Sequence, residues 1–132
     1  ATVAFILNEK NELLVCKRAN DPAKGTLDLA GGFVDIGESG EESVIREVKE
    51  ETGLNVISTR YLFSIPNTYP YSTDLFFQCD VESTNHLRAF DDVAESFWIP
   101  LDDINPDEFG LDSIRKGIIL FLSKYRTCQT KC

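Results

Sequence analysis

Positive charge is scarce in this chain: 13 Lys and Arg stand against 22 Asp and Glu, for a net charge of −9 and a sequence pI near 4.5. Such a balance disfavours polymeric nucleic acid held through its phosphates, and a small anionic substrate would need a metal ion to join the acidic protein. No apolar run approaches the ~18 residues that cross a bilayer, so a membrane-spanning helix is not expected. Cysteine is sparse as well. Cys16, Cys79, Cys128 and Cys132 are too few and too unevenly spaced for the disulfide framework of a small secreted domain, which favours a reducing, cytoplasmic setting. No charged segment precedes an apolar one near Ala1, so no signal peptide is expected. Repeats, low-complexity tracts and interdomain linkers are also lacking. His86, the single histidine, lies in a polar loop and reads as solvent exposed.

What remains is the composition of one globular domain: 132 residues, 42% apolar and 27% charged. Apolar residues 3–7 and 13–17 flank a polar turn and read as a strand hairpin. A loop marked by Asn20, Asp21, Pro22 and Gly25 leads to a short strand around Leu27 and Leu29, ended by Gly31 and Gly32. Ser39 with Glu42 is a capping-box pair and Gly53 a C-terminal stop, which predicts a helix between them. Residues 54–65, 75–81 and 97–99 read as strands. Leu111, Ile114, Ile118, Phe121, Leu122 and Tyr125 recur at helical spacing behind a cap at Asp112. The sum is a mixed sheet with few helices, in an order too irregular for a doubly wound fold.

The first of those helices carries the chemistry. Glu47, Glu50 and Glu51 fall at i, i+3 and i+4, whereas Val44, Ile45, Val48 and Thr52 form a separate apolar stripe. Like charges at i and i+4 cost a few tenths of a kcal/mol on an isolated helix, so a positive partner should justify the arrangement. A hard divalent cation that also holds substrate phosphates is the obvious one. Arg46, four residues after Glu42 and four before Glu50, partly neutralises and orients the cluster. A salt-bridged surface helix is the plainer alternative.

The spacing is also a family signature. Gly32, Glu38, Arg46, Glu47, Val48, Glu50, Glu51, Gly53 and Leu54 match every fixed position of the Nudix box, Gly-x5-Glu-x7-Arg-Glu-U-x-Glu-Glu-x-Gly-U with U aliphatic. From ordinary amino-acid usage a chance match in a chain this long is on the order of 10⁻⁸. The chain therefore resembles a Nudix hydrolase along nearly its whole length. The resemblance implies an α/β fold, the Nudix α/β/α sandwich with a mixed sheet. It also implies hydrolysis of a nucleoside diphosphate linked to another moiety, with Mg²⁺ or Mn²⁺ as cofactor. Carried over by position, Glu47, Glu50 and Glu51 are the metal-binding carboxylates and the Gly31 carbonyl a further ligand. Glu38 and Arg46 hold loop and helix in register, and Arg46 also borders the substrate.

The general base is left open. Glu47 or Glu50 qualifies within the box. The acidic loop before Trp98 offers Asp91, Asp92 and Glu95, with Asp92 preferred and Glu95 second. Residues 64–72, Ser-Ile-Pro-Asn-Thr-Tyr-Pro-Tyr-Ser, partly resemble the extra motif of NADH pyrophosphatases, Ser-Gln-Pro-Trp-Pro-Phe-Pro-x-Ser. Tyr69 and Tyr71 there are candidates to stack on a base or nicotinamide ring, or simply to cover the sheet edge. The zinc ribbon of that subgroup has no Cys-x2-Cys counterpart in this sequence. Cys128 and Cys132 alone do not make a zinc site. Cys16 and Cys79 read as small core hydrophobes and Trp98 as packing.

The expected organisation is a catalytic domain over 1–126 and a tail over 127–132. Expected substrates are ADP-ribose, NADH and related dinucleotides, then nucleoside triphosphates. Many members of the family dimerise, so a homodimer is among the assemblies the resemblance implies. The rival reading is a non-catalytic, nucleotide-sugar-sensing domain of a regulator. Such domains commonly lose box carboxylates, which are all present in this sequence. A purely structural interaction domain would leave the carboxylate cluster unexplained.

Overall fold

The computed structural model describes residues 1–68, 71–84 and 93–131. The first two strands, β1 (Thr2–Phe5) and β2 (Glu12–Arg18), are joined by a turn that Asn8 organises. Its side-chain oxygen accepts the N–H groups of Lys10 and Glu12, and Asn11 takes the left-handed conformation. The expected hairpin exists only at this mouth, through the Leu7–Leu13 bridge and its neighbours. Beyond it the strands part into two sheets.

In the four-stranded sheet β1 lies between the short β4 (Gly31–Gly32), antiparallel, and β6 (Tyr71–Val81), parallel; β5 (Val56–Thr68) pairs antiparallel with β6 at the edge. In the three-stranded sheet β2 lies between β3 (Leu27–Asp28) and β7 (Val93–Pro100), both antiparallel. Pro66 is tolerated within β5 because an edge strand need not donate every N–H to a neighbour. β7 starts earlier than the strand expected at 97–99 and takes in Glu95, which the sequence reading placed in a loop.

Strand alternation divides the core in two. Val3, Phe5, Leu13, Val15 and Phe76 point to one side, where they meet Ile114, Ile118, Phe121 and Leu122 of helix α2 (Asp112–Lys131). Ala4, Ile6, Leu14, Cys16, Phe77 and Cys79 point to the other, where they meet Val44 and Val48 of helix α1 (Gly40–Thr52). The result is the expected mixed α/β fold, with sheet strands held between two helices. At the α2 face Phe5 stacks on Phe121, with ring centroids 4.1 Å apart and planes 9° from parallel. α2 presses so close there that a Cβ at Gly117 would overlap the Phe76 ring.

α1 begins and ends as its sequence dictates. Ser39 and Glu42 form both hydrogen bonds of a capping box, and Gly53 closes the helix at φ 78°, a left-handed conformation that glycine adopts without strain. Ser43, Val44, Val48 and Thr52 are its buried residues. Ile45, expected in the apolar stripe, is instead 40% exposed, because the stripe follows i, i+4, i+8 from Val44 and leaves its neighbour at the rim. Asp112, expected as a cap, is the first residue of α2 and pairs with Arg115 and Lys116. The α2 backbone continues to Lys131. Two 3₁₀ turns, Leu101–Asp103 and Pro106–Glu108, link β7 to α2. Cys16 and Cys79 are buried free thiols, as expected. Among the described residues no helix is long and apolar enough to cross a membrane.

Candidate active site

The site forms where α1 crosses β4. Thr2 of β1 pairs with Gly32 of β4, and its hydroxyl lies 3.1 Å from that of Ser43, fully buried, which draws the second turn of α1 onto the strand. Two glycines make that approach feasible. A Cβ at Gly31 would overlap the Thr2 carbonyl oxygen, and one at Gly32 would overlap the Glu47 carboxylate. One turn along the helix, Glu51 accepts the Gly31 N–H at 3.3 Å. Glu47 and Glu51, at i and i+4, thus face the same two backbone units.

Arg46 ties this face together. Its guanidinium meets Glu38 as a bidentate fork, with N–O distances of 2.6 and 2.9 Å, and donates to Glu47 at 2.9 Å and Glu50 at 3.1 Å. It also donates to the Phe33 carbonyl at 3.1 Å, which fixes the loop between β4 and α1. The hydrogen bonds from Arg46 hold the Glu38 carboxyl below the usual carboxylate range, aided by the Asp35 N–H. Glu47 is displaced upward: burial disfavours its charge and the nearby Glu50 adds to this, while Arg46 and a hydrogen bond with Glu51 oppose it. Among the charged partners of Arg46, Glu38 and Glu47 are well covered, whereas Glu50 is 59% exposed at the side chain.

The carboxylates open into a cleft of about 380 Å³, lined also by Asp28, Asp35, Arg18 and Cys16. Burial pushes the Cys16 thiol up to about 12, so it is protonated at neutral pH. The ionised donors are therefore oxygens, which suits a hard divalent cation rather than a soft one. Among the described residues no three acidic, Cys or His side chains converge on one point. The side chains supply a pair, Glu47 and Glu51, with backbone oxygen from Gly31 the complement that the motif implies.

The other expected site residues are more scattered. Glu50 is held by Arg46 at 3.1 Å and does not line the cleft. Glu95 points to solvent from β7 and pairs with Lys17 at 3.6 Å. Tyr71 is 92% exposed at the start of β6, with no cover over its ring. Tyr69, His86, Asp91, Asp92 and Cys132 lie outside the described residues. Trp98 packs, as expected, against the α1-side core.

Sequence reasoning missed a second cavity. It has a volume of about 340 Å³ and shares Arg18, Asp28, Gly31, Gly32 and Phe33 with the carboxylate cleft. The wall between them carries the Arg18–Asp28 ion pair, at 2.6 Å and largely buried on both sides. Burial raises the Asp28 carboxyl, against the pull of the Leu29 N–H and of Arg18. Asp28 and Arg18 left no motif-level signal; the only hint was an acid beside two leucines in an apolar strand.

Comparison with known proteins identifies the family. The NUDIX domain model matches residues 1–119. An ADP-ribose pyrophosphatase of Methanocaldococcus jannaschii is 38% identical over 84% of this chain and 68% of its own length. The NAD-capped RNA hydrolase NudC of Haemophilus influenzae is 30% identical over 99% of this chain, which spans only half the length of that relative. The solved NUDIX domain of Shewanella oneidensis NrtR, complexed with ADP ribose, superposes with a TM-score of 0.73 at 22% identity, over 96% of this chain and 84% of that one. A complete box set on the matching fold places the chain in the Nudix hydrolase family.

Proposed function

We propose that this domain is a divalent-cation-dependent pyrophosphohydrolase of small nucleotides, acting on a diphosphate that links a nucleoside to a second group. The observation that carries the reading is the convergence of Glu47 and Glu51 on the Gly31–Gly32 backbone beside Arg46. The relative named as an ADP-ribose pyrophosphatase supports ADP-ribose as the first substrate to try, and the one named as an NAD-capped RNA hydrolase supports NAD-like dinucleotides next; nucleoside triphosphates come last in this reading.

In this reading Glu47, Glu51, the Gly31 carbonyl and Glu50, which Arg46 holds, would bind Mg²⁺ or Mn²⁺. When bound, the cation screens the diphosphate, polarises the phosphoryl oxygen and lowers the pKa of an attacking water. The chain's own part is positioning. Arg46 spends its donors on Glu38, Glu47, Glu50 and the Phe33 carbonyl, so it aims carboxylates rather than gripping substrate. Water attack on phosphorus needs a carboxylate as proton acceptor. Glu50 and Asp92 are the leading candidates, ahead of Glu95, which is engaged with Lys17. Both halves of the diphosphate leave phosphorylated, and no covalent nucleophile is required.

The test is a panel of ADP-ribose, NADH, diadenosine polyphosphates and nucleoside triphosphates, incubated with Mg²⁺, with Mn²⁺ or with chelator and resolved by chromatography. Cation-dependent cleavage of one class well above the rest supports the proposal. Binding without turnover in any condition overturns it in favour of a ligand-sensing domain.

A further inference from the structure

The second cavity adjoins the carboxylate cleft and differs from it in chemistry. Its walls are largely apolar, from Val3, Leu29, Phe33, Leu111 and Ile114; of its charged side chains Arg18 and Asp28 pair with each other and Asp112 with Arg115 and Lys116, which leaves one carboxylate outside these ion pairs that the proposed hydrolysis does not use. This is Asp74, 6% exposed, on the even-numbered face of β6. The hydroxyl of Ser113, in the first turn of α2, donates to Asp74 Oδ2 at 2.5 Å and fixes the carboxylate rotamer. The elements involved are rigid: Leu75 is paired to Thr2 of β1, and Asp74 itself to Ile65 of β5.

We infer that this cavity seats the heterocyclic ring of the substrate, and that Asp74, set by Ser113, selects a ring bearing an exocyclic –NH₂ donor. The argument is one of complementarity. A carboxylate only accepts hydrogen bonds, so a ring edge placed against it must donate. A carbonyl or carboxylate at that edge sets lone pairs against the lone pairs of a buried carboxylate, and the mismatch is costly. The apolar walls and the exposed Phe33 ring, which borders both cavities, suit a flat ring, and the shared wall adjoins the carboxylates where a diphosphate would lie. Adenine's 6-amino group and the carboxamide of nicotinamide both carry the required donor. Tyr71, on the opposite face of β6 from Ser72 and Asp74, is thereby relieved of the stacking role expected from the sequence.

The inference rests on the proposed function for the diphosphate end, so its test reads binding apart from turnover. Dissociation constants are measured in saturating Mg²⁺, where these monophosphates offer no diphosphate to cleave, for two isosteric pairs: AMP against IMP, and nicotinamide mononucleotide against nicotinic acid mononucleotide. The wild type is expected to favour the amino-bearing member of one pair by roughly ten- to hundredfold, and the responding pair identifies the ring. Asp74→Asn keeps the shape and the Ser113 contact but presents a donor, so it should erase or reverse that preference. Ser113→Ala should weaken it. No preference in the wild type in either pair, or a preference that Asp74→Asn leaves intact, overturns the inference. If the preference behaves as expected while the intact dinucleotides are never cleaved, the hydrolase reading fails and the ring subsite stands.

Discussion

The carboxylate of Glu47 occupies the space that a side chain at position 32 would fill. Helix α1 can therefore bring its acidic face onto β4 only because Gly32 has none. Gly32→Ala should push the Glu47 side chain aside while leaving the strand pairing of β4 intact. A displacement of about an ångström at a reacting centre costs on the order of a hundredfold in rate. The expected outcome is that loss in kcat/KM for the cleaved dinucleotide, with a melting temperature within a few degrees of wild type. A variant with unchanged turnover would show that Glu47 is not held where the account requires it.

Glu38 and Arg46 give a pH-dependent prediction. Arg46 holds the Glu38 carboxyl below its ordinary value, so the folded state binds this proton less readily than the unfolded chain does. The stabilisation is complete above the unfolded carboxylate pKa and is lost as pH falls through the depressed folded one. Glu38→Gln should lower the melting temperature at pH 7, and the gap to wild type should close as the pH is taken down below 4 or so. A gap independent of pH would point to packing rather than charge.

Phe5 tests the other core. Its ring is fully buried and contacts Phe121, Phe76 and Phe63 across the sheet–α2 interface. Phe5→Ala should cost about 3–5 kcal/mol in urea unfolding. If the variant keeps enough structure to assay at low temperature, its kcat should approach wild type, since Ala4 of β1 and Ile6 just after it face α1 instead.

Local signals in the sequence carried over well, and long-range ones did not. The capping box at Ser39 and the Gly53 stop rest on side chains that satisfy backbone groups within a turn, so their spacing suffices to locate α1. The carboxylate spacing of Glu47 and Glu51 is equally local. The hairpin of β1 and β2 was legible at its Asn8 turn, yet nothing in residues 3–17 reports that β6 and β7 outcompete the hairpin partners. Ile45 shows the same limit at the scale of one helix, since periodicity gives the stripe but not its width. The second cavity was invisible because Asp28, Asp74 and Ser113 come from three elements that meet only after both sheets have formed. Asp74 gave no clue of its own, since polar Ser72 and Thr73 precede it and it falls before the strand expected at 75–81.

Glu51 offers the most direct test of the central claim, because it faces the cleft and bonds the β4 backbone but supports no part of the core. The measurement is ADP-ribose turnover by wild type and Glu51→Gln, side by side in saturating Mg²⁺, with thermal melts of both proteins. The account predicts that turnover falls by at least about two orders of magnitude while the melting temperature holds. A folded Glu51→Gln protein that hydrolyses ADP-ribose at close to the wild-type rate would contradict it.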